Sequence, residues 1–121
     1  MAIKHVLVVD DALTELVYLS EILSQHGYAV RTASNGEEAM RSLAEHKPDA
    51  ILMDVVMPGQ NGYQLTRALS KDPAYSAIPV VICTSKSQES DRVWGMRQGA
   101  RDYLVKPIRA EQLLASLKAL G

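Results

Sequence analysis

Val6-Leu7-Val8-Val9-Asp10-Asp11 decides the reading of this chain. Four apolar residues, three of them β-branched, run without polar interruption into a pair of acids. A continuous apolar run of this length suits a strand buried on both faces, as in a parallel sheet. The same grammar recurs along the chain. Ala50-Ile51-Leu52-Met53 ends at Asp54, Val80-Val81-Ile82-Cys83 ends at Thr84, and Tyr103-Leu104-Val105 ends at Lys106-Pro107. A weaker run, Tyr28-Ala29-Val30-Arg31-Thr32, follows Gly27.

Amphipathic stretches separate these runs. Leu13, Leu16, Leu19, Ile22 and Leu23 recur at spacings of three and four, with Gly27 as a stop signal. Ala39, Met40, Leu43 and Ala44 repeat the pattern before Pro48, and Leu65 and Leu69 mark a third helix between Gly62 and Asp72-Pro73. Val93 and Met96 mark a less regular fourth that stops at Gly99, and Leu113, Leu114, Leu117 and Leu120 mark a fifth. Strict alternation of strand and helix with short connections predicts an α/β, doubly wound parallel sheet with helices on both faces.

A chain of 121 residues fits one domain over 1–121. With no Phe and one Trp, its core must be aliphatic. Thirteen basic and 14 acidic residues leave a formal net charge of −1, which argues against a uniformly basic nucleic-acid surface. A single Cys excludes an internal disulfide and a Cys-rich metal site. No apolar run approaches the roughly 20 residues a membrane span needs, and no signal-peptide pattern follows Met1, so the expected location is the cytoplasm.

In open α/β sheets, ligands bind beyond the carboxyl ends of the strands, where strand order reverses. Asp10, Asp11, Asp54, Thr84 and Lys106 stand at those ends. Asp and Thr also end strands simply because they start turns; that account serves any one of them better than the set. Two carboxylates about 5 Å apart repel by roughly 3 kcal/mol at an effective dielectric near 20. Three together need a cation, or one stays protonated. All-oxygen ligands favour Mg²⁺ or Mn²⁺ over zinc. Lys106 adds a point charge and Thr84 a hydroxyl, which together suit phosphoryl transfer to an Asp. Residue chemistry alone leaves open which Asp is the nucleophile.

At this point the chain resembles the receiver domains of bacterial two-component response regulators. The resemblance is carried by Val8-Val9-Asp10-Asp11, by Met53-Asp54-Val55-Val56-Met57-Pro58-Gly59-Gln60-Asn61-Gly62, by Ile78-Pro79-Val80-Val81-Ile82-Cys83-Thr84-Ser85, and by Gly99-Ala100-Arg101-Asp102-Tyr103-Leu104-Val105-Lys106-Pro107. It spans essentially the full length. Gln88 to Tyr103, supported by Val55 to Gly62, is most similar to stand-alone receivers of type IV pilus signalling.

The resemblance implies a flavodoxin-like (βα)5 fold with strand order 2-1-3-4-5. It makes Asp54 the phosphoryl acceptor, Asp11 the direct Mg²⁺ ligand and Asp10 its acidic partner, with the Val56 backbone carbonyl completing the protein ligands. Lys106 would bond the carboxylate and then the phosphoryl group. Thr84 would be the switch hydroxyl and Tyr103 the switch aromatic, turning inward as Thr84 moves. Lys106-Pro107 is expected to be cis. The implied donor is a phosphohistidine on a chemotaxis-like histidine kinase or histidine phosphotransfer domain, and the output is a changed protein-binding surface in pilus or twitching control. Val56 and Lys86 occupy the two positions that tune acyl-phosphate lifetime. Val56 has no polar group to orient water, so slow dephosphorylation is expected.

Other residues read more plainly. Cys83 is expected to be a buried, inert thiol. His26 and His46 sit near helix ends, Arg92, Arg97 and Arg101 read as a solvated face, and Trp94 either packs or is exposed. An Asp-nucleophile phosphatase is the enzymatic rival, but it needs an acid where Val56 stands. A phosphate sink is the other alternative. No attached output domain or helix-turn-helix is expected, so the expected partners are proteins rather than nucleic acid, and the expected state is a monomer or a weak phosphorylation-dependent dimer.

Overall fold

The computed structural model describes residues 2–57, 59 and 61–121; Pro58 and Gln60 of the acceptor motif, and Met1, lie outside the described residues. Ten elements alternate as expected: β1 (His5–Val9), α1 (Leu13–Gln25), β2 (Ala29–Ala33), α2 (Gly36–Glu45), β3 (Ala50–Met53), α3 (Gly62–Lys71), β4 (Val80–Thr84), α4 (Glu89–Arg97), β5 (Asp102–Val105) and α5 (Ala110–Leu120). The five strands are parallel and ordered β2-β1-β3-β4-β5, the flavodoxin-like arrangement.

Alternate residues of the apolar runs face opposite layers, which is why the runs lack polar positions. Val6, Val8, Leu52, Val81, Cys83 and Leu104 pack with α1 and α5 through Leu16, Leu19, Leu23, Leu113 and Leu117. Leu7, Val9, Ile51, Met53 and Val80 pack with α2 and α3 through Ala39, Leu43, Leu65 and Leu69. Val55, Tyr63, Ile82, Ala100 and Tyr103 form a separate cluster on the α4 side. The weak run is the edge strand β2, where Arg31 and Thr32 remain exposed. An edge strand has one neighbour and less to bury, so its sequence tolerates polar residues.

Two helix readings change. Leu13, counted on the apolar stripe of α1, is 73% exposed, while Leu16, Leu19 and Leu23 carry the packing. Val93 and Met96, the expected apolar marks of α4, also face outward, and Gly95 and Gln98 are buried in their place. A Cβ at Gly95 would lie 2.9 Å from Ile82 Cδ1 and 3.0 Å from the Tyr103 ring. The helix therefore docks through its smallest residue, a contact that hydrophobic periodicity does not reveal. No helix among the described residues is long and apolar enough to cross a membrane.

Candidate functional site

Strand register assembles the site. Val9 pairs with Met53, so Asp10 and Asp54 are the next residues on adjacent strands. Asp10 N donates to Ala33 O at 3.0 Å and Asp54 N to Val9 O at 2.9 Å, which carries the ladder one step past each strand. Thr84 pairs with Val105, and Lys106 N donates to Thr84 O at 2.8 Å. The order of strands reverses between β1 and β3, and Asp10 and Asp11 stand at the carboxyl end of the first and Asp54 at that of the second.

Asp10 and Asp54 are buried and Asp11 is exposed; each offers a carboxylate oxygen within 4.8 Å of the others. Both Asp10 oxygens are engaged: Oδ1 accepts from Ala12 N at 2.9 Å and Oδ2 from Lys106 Nζ at 2.7 Å. Asp54 Oδ1 accepts from Val55 N at 2.9 Å and lies 3.6 Å from Lys106 Nζ. Lys106 thus makes its shorter contact with Asp10, not with Asp54. Asp54 Oδ2 takes no hydrogen bond from the described residues.

The electrostatics follow from this geometry. Burial, then the charge of Asp10, push the Asp54 carboxyl up to about 6, against the opposing pull of Lys106. Burial disfavours the charge on Lys106, but the Asp10 hydrogen bond and the charges of Asp54 and Asp10 together outweigh it and hold the ammonium above the ordinary lysine range. The site therefore gathers three acidic side chains around one ammonium. The donor set is entirely hard oxygen and carries excess negative charge, which fits a small divalent cation. Asp11 also lines a groove of about 800 Å³ with Ser34, Asn35, Gly36, Glu37 and Met40, so the cluster faces solvent on that side.

The β3–α3 connection is pinned by Gly62, the last residue of the acceptor motif and the start of α3. Gly62 N donates to Val55 O at 2.8 Å, and a Cβ on Gly62 would fall 1.9 Å from Asp54 O. Only glycine permits that approach of α3 to the backbone of the acidic residue. Asn61 caps the helix, accepting from Gln64 N while the Gln64 side chain accepts from Asn61 N. Val56, two residues after Asp54, is 58% exposed.

The remaining expected residues fall beside this cluster. Thr84 is buried, and its Oγ1 accepts from Lys86 N at 3.3 Å. The Lys86 side chain is exposed. Tyr103 lies inward, its hydroxyl donating to Lys86 O at 2.9 Å and sitting 3.2 Å from the Tyr63 hydroxyl. Burial, then the Tyr63 hydrogen bond, push the Tyr103 phenol up. Arg92, read from sequence as solvated, donates to Tyr103 O at 3.1 Å and ties α4 to β5. Trp94 is half exposed, burial pushes the Cys83 thiol well above its usual range, and the Lys106–Pro107 peptide is cis.

A parallel five-stranded sheet with acids, a hydroxyl and a lysine at its carboxyl edge defines a receiver of two-component signalling. The chain belongs to the response regulator receiver domain family, whose sequence model matches residues 6–118. It is 52% identical over 116 residues to Protein PilH of Pseudomonas aeruginosa, with 96% of each chain covered. It is 35% identical over 117 residues to the phosphate regulon transcriptional regulatory protein PhoB of the same species, spanning 97% of this chain but only 51% of that protein. Among solved structures, the Vibrio cholerae chemotaxis protein CheY4 superposes with a TM-score of 0.91 at 32% identity, covering 99% of this chain and 100% of the other.

Proposed function

We propose that this receiver accepts a phosphoryl group on Asp54 from a phosphohistidine of a histidine kinase or histidine phosphotransfer domain. The observation that carries the reading is the juxtaposition of Asp10, Asp11 and Asp54, with oxygens within 4.8 Å, beside Lys106 Nζ. An Asp54 carboxylate oxygen attacks phosphorus. The new O–P bond forms as the P–N bond breaks, and the electron pair leaves with the imidazole nitrogen. The product is an acyl phosphate, and hydrolysis later returns the carboxylate and inorganic phosphate.

Asp10, Asp11, Asp54 and the Val56 carbonyl would hold Mg²⁺, with Mn²⁺ as an alternative; when bound, such a cation offsets charge on the phosphoryl oxygens. Lys106 is already placed by Asp10 next to Asp54, so it meets the transferred group without a large reorganisation. Thr84 supplies a hydroxyl to the phosphoryl oxygens and Tyr103 reports that change to the α4–β5–α5 surface, biasing two pre-existing conformations. Val56 and Lys86 set the acyl-phosphate lifetime, which is long because Val56 has no polar group to orient attacking water and the Lys86 side chain sits in solvent. The similarity to PilH supports a cytoplasmic role in type IV pilus or twitching control, exerted through a protein partner.

Phosphotransfer from candidate kinases in the presence of Mg²⁺ tests the assignment. The expected result is phosphoryl label on the wild-type protein and none on Asp54→Ala. Label persisting on Asp54→Ala would overturn it.

A further inference from the structure

Two tyrosine hydroxyls sit side by side between the acidic site and α4. Tyr63 follows Gly62 directly, so its backbone is fixed by the close approach of α3 to Asp54. Its ring is buried with Val55, the residue after Asp54, and with Ile82, Ala100 and Tyr103. Its hydroxyl lies 3.2 Å from Asp91 O in the first turn of α4 and 3.2 Å from the Tyr103 hydroxyl. The Tyr103 hydroxyl in turn reaches Lys86 O at 2.9 Å.

Proton accounting assigns the directions. A carbonyl only accepts, so the Tyr103 proton goes to Lys86 O. The single Tyr63 proton is then shared between Asp91 O and the Tyr103 oxygen. Gly95 leaves the space in which the Tyr103 ring rests, since a Cβ there would lie 3.0 Å from it. Space alone permits the inward ring. It does not select it over an outward ring with a hydrated hydroxyl. The inward ring is selected by the bond its hydroxyl gives to Lys86 O together with the bond that Tyr63 supplies from a rigid element.

We propose that Tyr63 is the positioning residue that holds Tyr103 inward and couples the Asp54 loop to α4. The coupling role rests on the reading of Asp54 as phosphoryl acceptor, whereas the hold on Tyr103 does not. A shift of the β3–α3 connection moves Tyr63 with Gly62, and Tyr63 bears on both α4, through Asp91 O, and β5, through Tyr103. The path is a contiguous set of packed and hydrogen-bonded groups rather than a statistical one.

Tyr63→Phe tests this, because it removes one hydroxyl and keeps the ring. The inward-to-outward ratio of Tyr103 is read from its ring resonances in tyrosine-labelled protein. The expected change is a fall of about three- to tenfold, the range set by one net hydrogen bond, with the thermal midpoint lowered by only a few degrees. In parallel, fluorescence of Trp94, the sole tryptophan and a residue of α4, reports the response to beryllofluoride with Mg²⁺. The response should shrink in Tyr63→Phe and in Tyr103→Phe, and the double variant should match Tyr103→Phe alone. An unchanged Tyr103 ratio in Tyr63→Phe would overturn the proposal, whatever the stability of the variant. Additive fluorescence losses would overturn the coupling. If wild-type protein shows no beryllofluoride response, the acceptor reading fails, and the Tyr103 ratio measured without the analogue still judges Tyr63.

Discussion

Asp49 and Asp54 bracket the same four-residue strand, and their carboxyl groups are driven in opposite directions. At the amino end, Asp49 Oδ2 accepts from Lys4 N and His5 N, both at 2.9 Å, in a half-exposed position. Those backbone donors, His5 first, hold its carboxyl below the ordinary carboxylate range. At the carboxyl end, Asp54 is buried beside another carboxylate and is pushed up to about 6. One end of β3 is built to keep a charge satisfied, and the other is built to hold a charge that wants a partner. Stability and reactivity are separated by one strand length, through solvation and donor supply rather than residue type.

The largest effect comes from removing the one cation at the strained end. Lys106→Met keeps the aliphatic stem and deletes the ammonium, leaving Asp10, which is 1% exposed, without its 2.7 Å partner. Removing one member of a buried pair leaves an uncompensated charge. The expected loss is about 3 kcal/mol by urea denaturation at neutral pH, near the low end because Lys106 retains some solvent access. A loss no greater than that of an exposed lysine would mean that water replaces Lys106 and that the site is not strained. Phosphoryl acceptance should fall as well, since the same group faces Asp54.

Asp54→Asn should have the opposite sign. A carboxyl raised from 3.8 to about 6 binds more protons in the native than in the unfolded chain between those values. Its contribution to stability is therefore fully present below about pH 4 and is lost as the pH rises through about 6. The neutral amide has no such loss, so Asp54→Asn should be more stable than wild type by about 2 kcal/mol at neutral pH, with the gap closing near pH 4. Denaturation of both proteins across that window measures it. Added Mg²⁺ should narrow the neutral-pH gap, because a cation bound to the native carboxylates stabilises wild type alone. A gap that does not change with pH would mean that Asp54 is not held at raised pKa.

How much of this was legible in the sequence depends on which contacts are local. The strands announce themselves because burial on both faces leaves no polar position in Val6 to Val9 or Ala50 to Met53. Asp10, Asp54, Thr84 and Lys106 are legible because each terminates such a run, and parallel register then gathers them. The preference of Lys106 for Asp10 over Asp54 is a matter of fractions of an ångström between strands that sequence spacing does not encode. Neither Tyr63 nor Gly95 is marked by strand ends or helical spacing. Their roles depend on each other and on Tyr103, which stands 40 residues from Tyr63. A glycine next to a Met and a Trp on a helix with little apolar periodicity was the available signal, since such a helix must dock by some means other than an apolar stripe.

The smallest effect should lie at the amino end of β3. Asp49→Ala removes the acceptor for Lys4 N and His5 N. Because the side chain is 41% exposed, water takes over much of the lost bonding, and the expected cost is about 1 kcal/mol or less. The pH dependence runs opposite to that of Asp54. A lowered carboxyl contributes stability above its unfolded value of about 3.8 and loses it as the pH falls through the lower folded value. The difference between wild type and Asp49→Ala should therefore be constant above about pH 5 and shrink in acid, while that between wild type and Asp54→Asn grows from acid to neutral pH. Phosphoryl acceptance at Asp54 should be unchanged, because the four residues of β3 stand between the two carboxylates. Two variants of one residue type, titrating with opposite slopes, would establish that the strand separates a structural end from a reactive one; parallel slopes would remove that distinction.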